Sequence, residues 1–216
     1  MTLKIRAVIF DMDGVLIDTE KYYTKYWAEA GQAFGFPMTR EHGLFLRSYS
    51  GAYCRPLLEE MFGPSFDYGA VRALRKKLME PQLLSDGVEK KPGADAVLDA
   101  LLAQGIKTAV ATASDMTRAE KYLKAIGLYE KFDNIICADM IAHGKPMPDI
   151  YMYACERLRL KPAECSPNGI LSAYQAGCSV VMVPDLTEPD ALMLAMVTAV
   201  VKDLSGLLPL IERMNA

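Results

Sequence analysis

Two patterns in this 216-residue sequence predict an α/β fold, a Rossmann-like parallel-sheet core with an inserted helical cap. After Asp86-Gly87, short apolar stretches alternate with stretches of helical spacing, as in a parallel sheet covered on both faces. From Thr19 to about Leu84 the apolar residues recur at helical spacing only, and a single strand precedes them. A helical block between the first strand and an alternating remainder is an insertion. Its boundaries give a core of residues 1–17 and 88–216 and a cap of residues 18–87.

Each element has its own signal. Lys4 to Phe10 is β-branched and apolar and stops at Asp11-Met12-Asp13-Gly14, a cluster suited to a tight loop after a buried strand. Gly35-Phe36-Pro37, Gly51 and Gly63-Pro64 interrupt the helical block. The block is expected to join the core through two hinges, near Leu16 to Thr19 and near Asp86 to Lys91. Beyond the second, the expected order is helix Gly93 to Gln104, strand Lys107 to Ala111 and helix Met116 to Ile126, which Gly127 ends. Strand Asn134 to Ala138 and helix Pro148 to Leu160 follow. The apolar run Ala191 to Val201 is too short to span a bilayer and reads as a buried strand preceded by a turn. Open parallel sheets bind ligands beyond the carboxyl ends of their strands, where Asp11/Asp13, Thr112/Ser114 and Lys145 are expected.

Composition limits the partners. With 51% hydrophobic and 24% charged residues the chain has the make-up of a soluble globular protein. A formal net charge of -3 provides no global field for nucleic acid or an anionic membrane, so an anionic substrate must be captured locally. The basic stretch Arg72, Arg75, Lys76, Lys77 reads as the solvated face of a helix. Five scattered cysteines without a CxxC pair, and an opening that runs directly into the Asp11 motif, point to a reducing, cytoplasmic setting.

Two carboxylates two residues apart on one loop can divide labour. One attacks phosphorus while the other gives a proton to the leaving oxygen and later activates water. A carboxylate approaching a phosphate dianion is repelled by it, so this chemistry needs a hard cation, and Mg²⁺ suits such oxygen ligands.

The segment VIFDMDGVLIDTE resembles the DxDGxxxD signature that opens the haloacid dehalogenase superfamily. TAVATAS (Thr108 to Ser114) is similar to its second motif and GKPMPDIY (Gly144 to Tyr151) to its third. The helical insertion resembles the subclass of β-phosphoglucomutase and phosphoglycolate phosphatase. The resemblance implies Asp11 as a nucleophile that also binds Mg²⁺, and Asp13 as general acid/base with its main-chain carbonyl on the metal. An acid at position 13 disfavours dehalogenation. The resemblance further implies Thr112, assisted by Ser114, as hydrogen-bond donor to the phosphoryl group, and Lys145 as its charge partner. The implied activity is Mg²⁺-dependent hydrolysis of a small phosphorylated metabolite, a sugar phosphate or similar. The alternatives are a hexose-phosphate mutase and a catalytically inactive phospholigand-binding relative.

Arg47 is a candidate clamp for a second anionic group of the substrate. His143 reads as an exposed loop histidine with nothing to pair with it. Trp27 with Tyr22, Tyr23 and Tyr26 reads as aromatic packing of the cap. The fourth family motif is incomplete, because LKPAEC (Leu160 to Cys165) precedes Ser166 where an apolar strand ending in acids is expected. About five residues and an acidic metal ligand are absent, which leaves a gap beside the first strand. Glu164 is the nearest acid, and Asp185 and Asp139 are weak substitutes.

Overall fold

Strand β1 (Ala7–Phe10) is buried at every position, as a strand covered on both faces must be. In the computed structural model, which describes residues 4–167 and 170–216, it lies inside a parallel sheet. Its neighbours are β2 (Lys107–Thr112) and β4 (Cys165–Pro167), and β3 (Asn134–Cys137) flanks β2. Alternation along β1 sends Val8 and Phe10 to one face and Ala7 and Ile9 to the other. The first face packs on α5 (Ala94–Ala103), α6 (Met116–Ala125) and α10 (Leu207–Asn215). The second packs on α7 (Asp149–Leu158) and α8 (Ile170–Gln175).

Between β1 and α5 run α1 (Glu20–Ala33), α2 (Arg40–Phe45), α3 (Gly51–Phe62) and α4 (Tyr68–Asp86). They share a cluster of their own around Trp27, Met38, Leu58 and Phe66. The two connections to this block are hydrogen-bonded to each other, Asp18 N to Glu89 O at 2.9 Å and Lys91 N to Leu16 O at 2.9 Å. Among the described residues no helix is long and apolar enough to cross a membrane.

Three expectations need correction. The place beside β1 is not a gap, because the three residues of β4 occupy it in register with Ala7, Val8 and Ile9. A 3-10 turn at Pro162–Glu164 delivers the chain there, and Arg6 N donates to Glu164 O at 2.8 Å. Such a strand carries no apolar run, so pattern alone misses it. Asn168 and Gly169 of the fourth motif lie outside the described residues.

The run Ala191 to Val201 is not one buried strand. It forms helix α9 (Ala191–Met196), largely exposed, and then β6 (Ala199–Val200), paired with β5 (Val181–Met182). Asp190 caps α9 by accepting from Met193 N at 2.8 Å, and Ala, Leu and Met favour a helix once it is capped. The basic stretch also divides. Arg72, Lys76 and Lys77 are exposed, whereas Arg75 is buried because it continues the inward stripe Val71, Arg75, Met79 at i, i+4 spacing.

Candidate active site

Asp11 leaves the carboxyl end of β1 and is 5% exposed. Lys145, 3% exposed, places Nζ 3.0 Å from Asp11 Oδ1 and donates to Ala111 O at 3.0 Å. Burial raises the Asp11 pKa, and Lys145 opposes that rise. Burial works against the Lys145 charge too, yet the Asp11 carboxylate pushes its pKa up. Each charge offsets part of the burial cost of the other in a site that water barely reaches, and for Asp11 burial remains the larger effect. Met12 N donates to Asp11 Oδ1 at 2.8 Å, and the Ser48 hydroxyl lies 3.4 Å from Oδ2.

Asp13 faces a different environment. Arg118 grips it with Nη2 on Oδ1 at 2.7 Å and Nη1 on Oδ2 at 3.1 Å, and the Thr19 hydroxyl donates to Oδ1. Burial alone would raise the Asp13 pKa, but Arg118 and these hydroxyls bring it below the usual carboxylate value. Ser114 Oγ donates to Asp13 Oδ2 at 3.3 Å, and Ser114 N donates to Thr112 Oγ1 at 3.1 Å. Thr112 is fully buried at the end of β2.

Asp11, Asp13, Ser114 and Arg47 line one cavity of about 110 Å³, together with Glu20, Tyr23, Trp27, Arg75 and Arg118. The helical block forms one wall of this cavity and the carboxyl end of the sheet the other. Arg47 is engaged within the protein, with Nε donating to Leu44 O at 3.1 Å and Nη2 to Thr187 Oγ1 at 2.7 Å. His143 is exposed as expected, but it does have a partner, Asp149 Oδ1 at 2.9 Å.

Glu164 sits at the opposite end of the sheet from Asp11, paired with Arg6 at 3.1 Å ahead of the Cys165–Ala7 register. It cannot replace the absent motif acid. Asp139 is in contact with Met116 N at 3.5 Å. Asp185 lies over Gly14 and is paired with Lys91 at 2.5 Å, while its Oδ2 is buried without a partner among the described residues.

Sequence reasoning passed over Glu20 and Arg118 and read Arg75 as solvated surface, whereas it is buried on the cavity wall. Arg118 stands one helical turn after Ser114, so i, i+4 spacing from a motif hydroxyl was its available signal. Glu20 directly follows the DT of the first motif and is buried.

Residues 5–166 match the family model of the haloacid dehalogenase-like hydrolases. The chain belongs to the haloacid dehalogenase-like hydrolases. A phosphorylated carbohydrates phosphatase of Thermotoga maritima is 30% identical to this hydrolase over 207 residues, 92% of this chain and 94% of that one. Hexitol phosphatase A of Escherichia coli is 30% identical over 207 residues, 88% and 91% of the two chains. The solved structure of a hydrolase from Pseudomonas syringae superposes with a TM-score of 0.85 at 25% identity, covering 98% of this chain and all of the other. This hydrolase is a phosphatase, with the mixed α/β architecture of its relatives.

Phosphatases of this family in general use a divalent metal. Among the described residues no three His, Cys, Asp or Glu side chains converge as a ready metal cage. The donor chemistry nevertheless fits a hard cation that keeps several of its waters, because among the described residues Asp11 Oδ2 meets only a long contact from Ser48. Glu20 also points to surplus negative charge. Burial, and then Asp13, Asp11 and Asp185 close by, raise its pKa to about 8.

Proposed function

We propose that this hydrolase releases phosphate from a small phosphorylated metabolite, a sugar phosphate or similar, through an aspartyl phosphate on Asp11. The buried Asp11–Lys145 pair supports this reading most directly, because it places a carboxylate against a lysine charge, 3.0 Å away, in a dry site at the end of β1. A divalent cation, Mg²⁺ by its oxygen donors, would be held by the Asp11 carboxylate and the Asp13 main-chain carbonyl, and it supplies charge neutralisation for the approach of carboxylate to phosphate.

In this mechanism an Asp11 oxygen bonds to phosphorus as the ester oxygen leaves with a proton from Asp13. Water then attacks the phosphoryl group, Asp13 takes up its proton, and the Asp11 carboxylate is restored. Asp13, gripped by Arg118, is in the ionised state of the second step, so the donor step requires that grip to loosen. Lys145 offsets charge on Asp11 and the phosphoryl oxygens, while Thr112 and Ser114 present hydroxyls at the end of β2. Residues 18–87 act as a cap over the core of residues 1–17 and 88–216, and five free cysteines suit a reducing cytoplasm.

The test is phosphate release from fructose 1-phosphate with Mg²⁺, without added bisphosphate, for the natural chain and Asp11→Asn. Release that needs Mg²⁺ and falls at least about 1,000-fold in Asp11→Asn supports the proposal. Undiminished release in the variant sinks it. A mutase would show little net release under these conditions.

A further inference from the structure

We infer that the cleft between α4 and α6 is a regulatory site for a small amphipathic anion, an aromatic or aliphatic acid, whose binding slows phosphate release by holding Arg118 on Asp13. The binding site stands apart from the phosphatase reading, and its effect on turnover rests on that reading.

The cleft is a second cavity, of about 490 Å³ against about 110 Å³ for the one that holds Asp11. Its volume falls within the roughly 300–1,000 Å³ of small-molecule sites, which favour the seams between domains. One wall is a stripe of α4 on which Met79, Leu83 and Leu84 supply apolar surface. The other is a stripe of α6 on which Thr117, Lys121 and Ala125 recur at i, i+4 spacing. Val88 of the second connection adds to the apolar lining. Leu84 is 70% exposed, so apolar surface lies open to an incoming ligand. Asp11, Asp13, Glu20 and Ser114 line the first cavity and not this one.

The charge on the rim selects an anion. Arg75, Lys76, Arg118 and Lys121 border the cleft against Glu80 and Asp115. Asp13 already matches Arg118, and the Asp115 carboxylate is engaged by Arg118 N as the α6 cap. Lys121 stands outside any ion pair among the described residues, one helical turn before Ala125. An acid group bound to Lys121 sets the apolar body of the ligand over Ala125 and towards Met79 and Leu83. Arg118 links the cleft to the reaction. Its guanidinium lies against the rings of Tyr23 at 5.0 Å and Tyr122 at 4.7 Å, and both rings line the cleft. The same guanidinium grips Asp13 at 2.7 and 3.1 Å. Tyr122 belongs to the core helix α6 yet packs against the cluster of Tyr22, Tyr26, Met79 and Leu83 in the helical block. The donor step requires the Arg118 grip to loosen, and a ligand packed on these two rings resists that movement. Occupancy therefore lowers kcat and leaves substrate binding nearly unchanged.

The probe is 8-anilinonaphthalene-1-sulfonate, an apolar anion whose fluorescence rises in dry surroundings, titrated into the full chain with Mg²⁺ present. Ala125→Phe fills the cleft from an exposed position on α6 and should weaken probe binding at least about tenfold. Lys121→Gln, which removes the charge alone, should weaken it at least about threefold. In phosphate release from fructose 1-phosphate, saturating probe should lower kcat at least about threefold with KM kept within about twofold, and Ala125→Phe should be insensitive to the probe. Binding that survives both substitutions lies elsewhere and overturns the inference. So does a raised KM at unchanged kcat, which is competition with substrate, and so does bound probe without effect on release. If Ala125→Phe does not fold, Lys121→Gln, at an exposed side chain, still decides where the probe binds. Probe binding that both substitutions weaken, in a chain that releases no phosphate, supports the site and removes the phosphatase reading alone. Release without probe binding removes the site alone.

Discussion

Glu20 shares its pocket with three other carboxylates, and its pKa stands at about 8 against an ordinary 4.5 because of burial first and Asp13 next. The folded protein therefore keeps a proton that the unfolded chain has released between those two values. Stability attributable to Glu20 is full below about pH 4.5 and is lost as pH rises through about 8. At roughly 1.4 kcal/mol per unit the loss reaches up to about 5 kcal/mol. Glu20→Gln removes this dependence, so in urea unfolding the variant should gain on the natural protein between about pH 5 and pH 8.5. Mg²⁺ should narrow the difference by favouring ionised Glu20, and a gap that ignores pH would show Glu20 ionised throughout. Arg118 acts in the opposite sense on Asp13, bringing its pKa below normal. Arg118→Ala should raise that pKa and move the acid limb of the pH–rate profile upward, with release slowed by about ten- to a hundredfold. An unmoved acid limb would mean that the ion pair does not govern the working state of Asp13.

Helix α6 carries Arg118 in its first turn, and the cap of this helix sets where that side chain points. The Asp115 carboxylate accepts from Arg118 N at 2.9 Å. Asp115→Ala should cost about 1 kcal/mol in a thermal or urea melt and slow phosphate release, while Asp115→Asn should keep both near normal. Elements with strong periodicity were legible from sequence. The helices and strands expected between Gly93 and Leu160 all form, with ends moved by a residue or two. β4 was not legible, because three residues without an apolar run become a strand only through pairing with β1 and the contact of Arg6 with Glu164. α9 was misread because an apolar run does not declare its period, and the Asp190 cap decided it. Arg75 was legible in principle as the polar member of an otherwise apolar i, i+4 stripe. The meeting of Asp11 with Lys145 could be anticipated only by matching motifs, since nothing local to either residue encodes a contact so distant in sequence.

For the molecule as a whole, the site exists only while the helical block rests on the sheet end. The two parts meet closely where Ser50 N donates to Lys145 O at 2.9 Å. Beside that bond, a Cβ added to Gly144 would lie 2.4 Å from Ser50 Cβ and 2.9 Å from its Oγ. No side chain fits there, so Gly144→Ala must push the start of α3 off the Lys145 loop and open the cavity. The expected result is at least a tenfold loss of kcat/KM for phosphate release, about 1.4 kcal/mol of transition-state stabilisation. Ser50→Gly removes both atoms that meet the new methyl group and costs α3 only a few tenths of a kcal/mol at its cap. The double variant Gly144→Ala/Ser50→Gly should therefore recover most of the lost activity. Recovery assigns the loss to separation of the two parts. Failure to recover assigns it to distortion within the Lys145 loop, and an active Gly144→Ala single variant would show that catalysis does not depend on this contact.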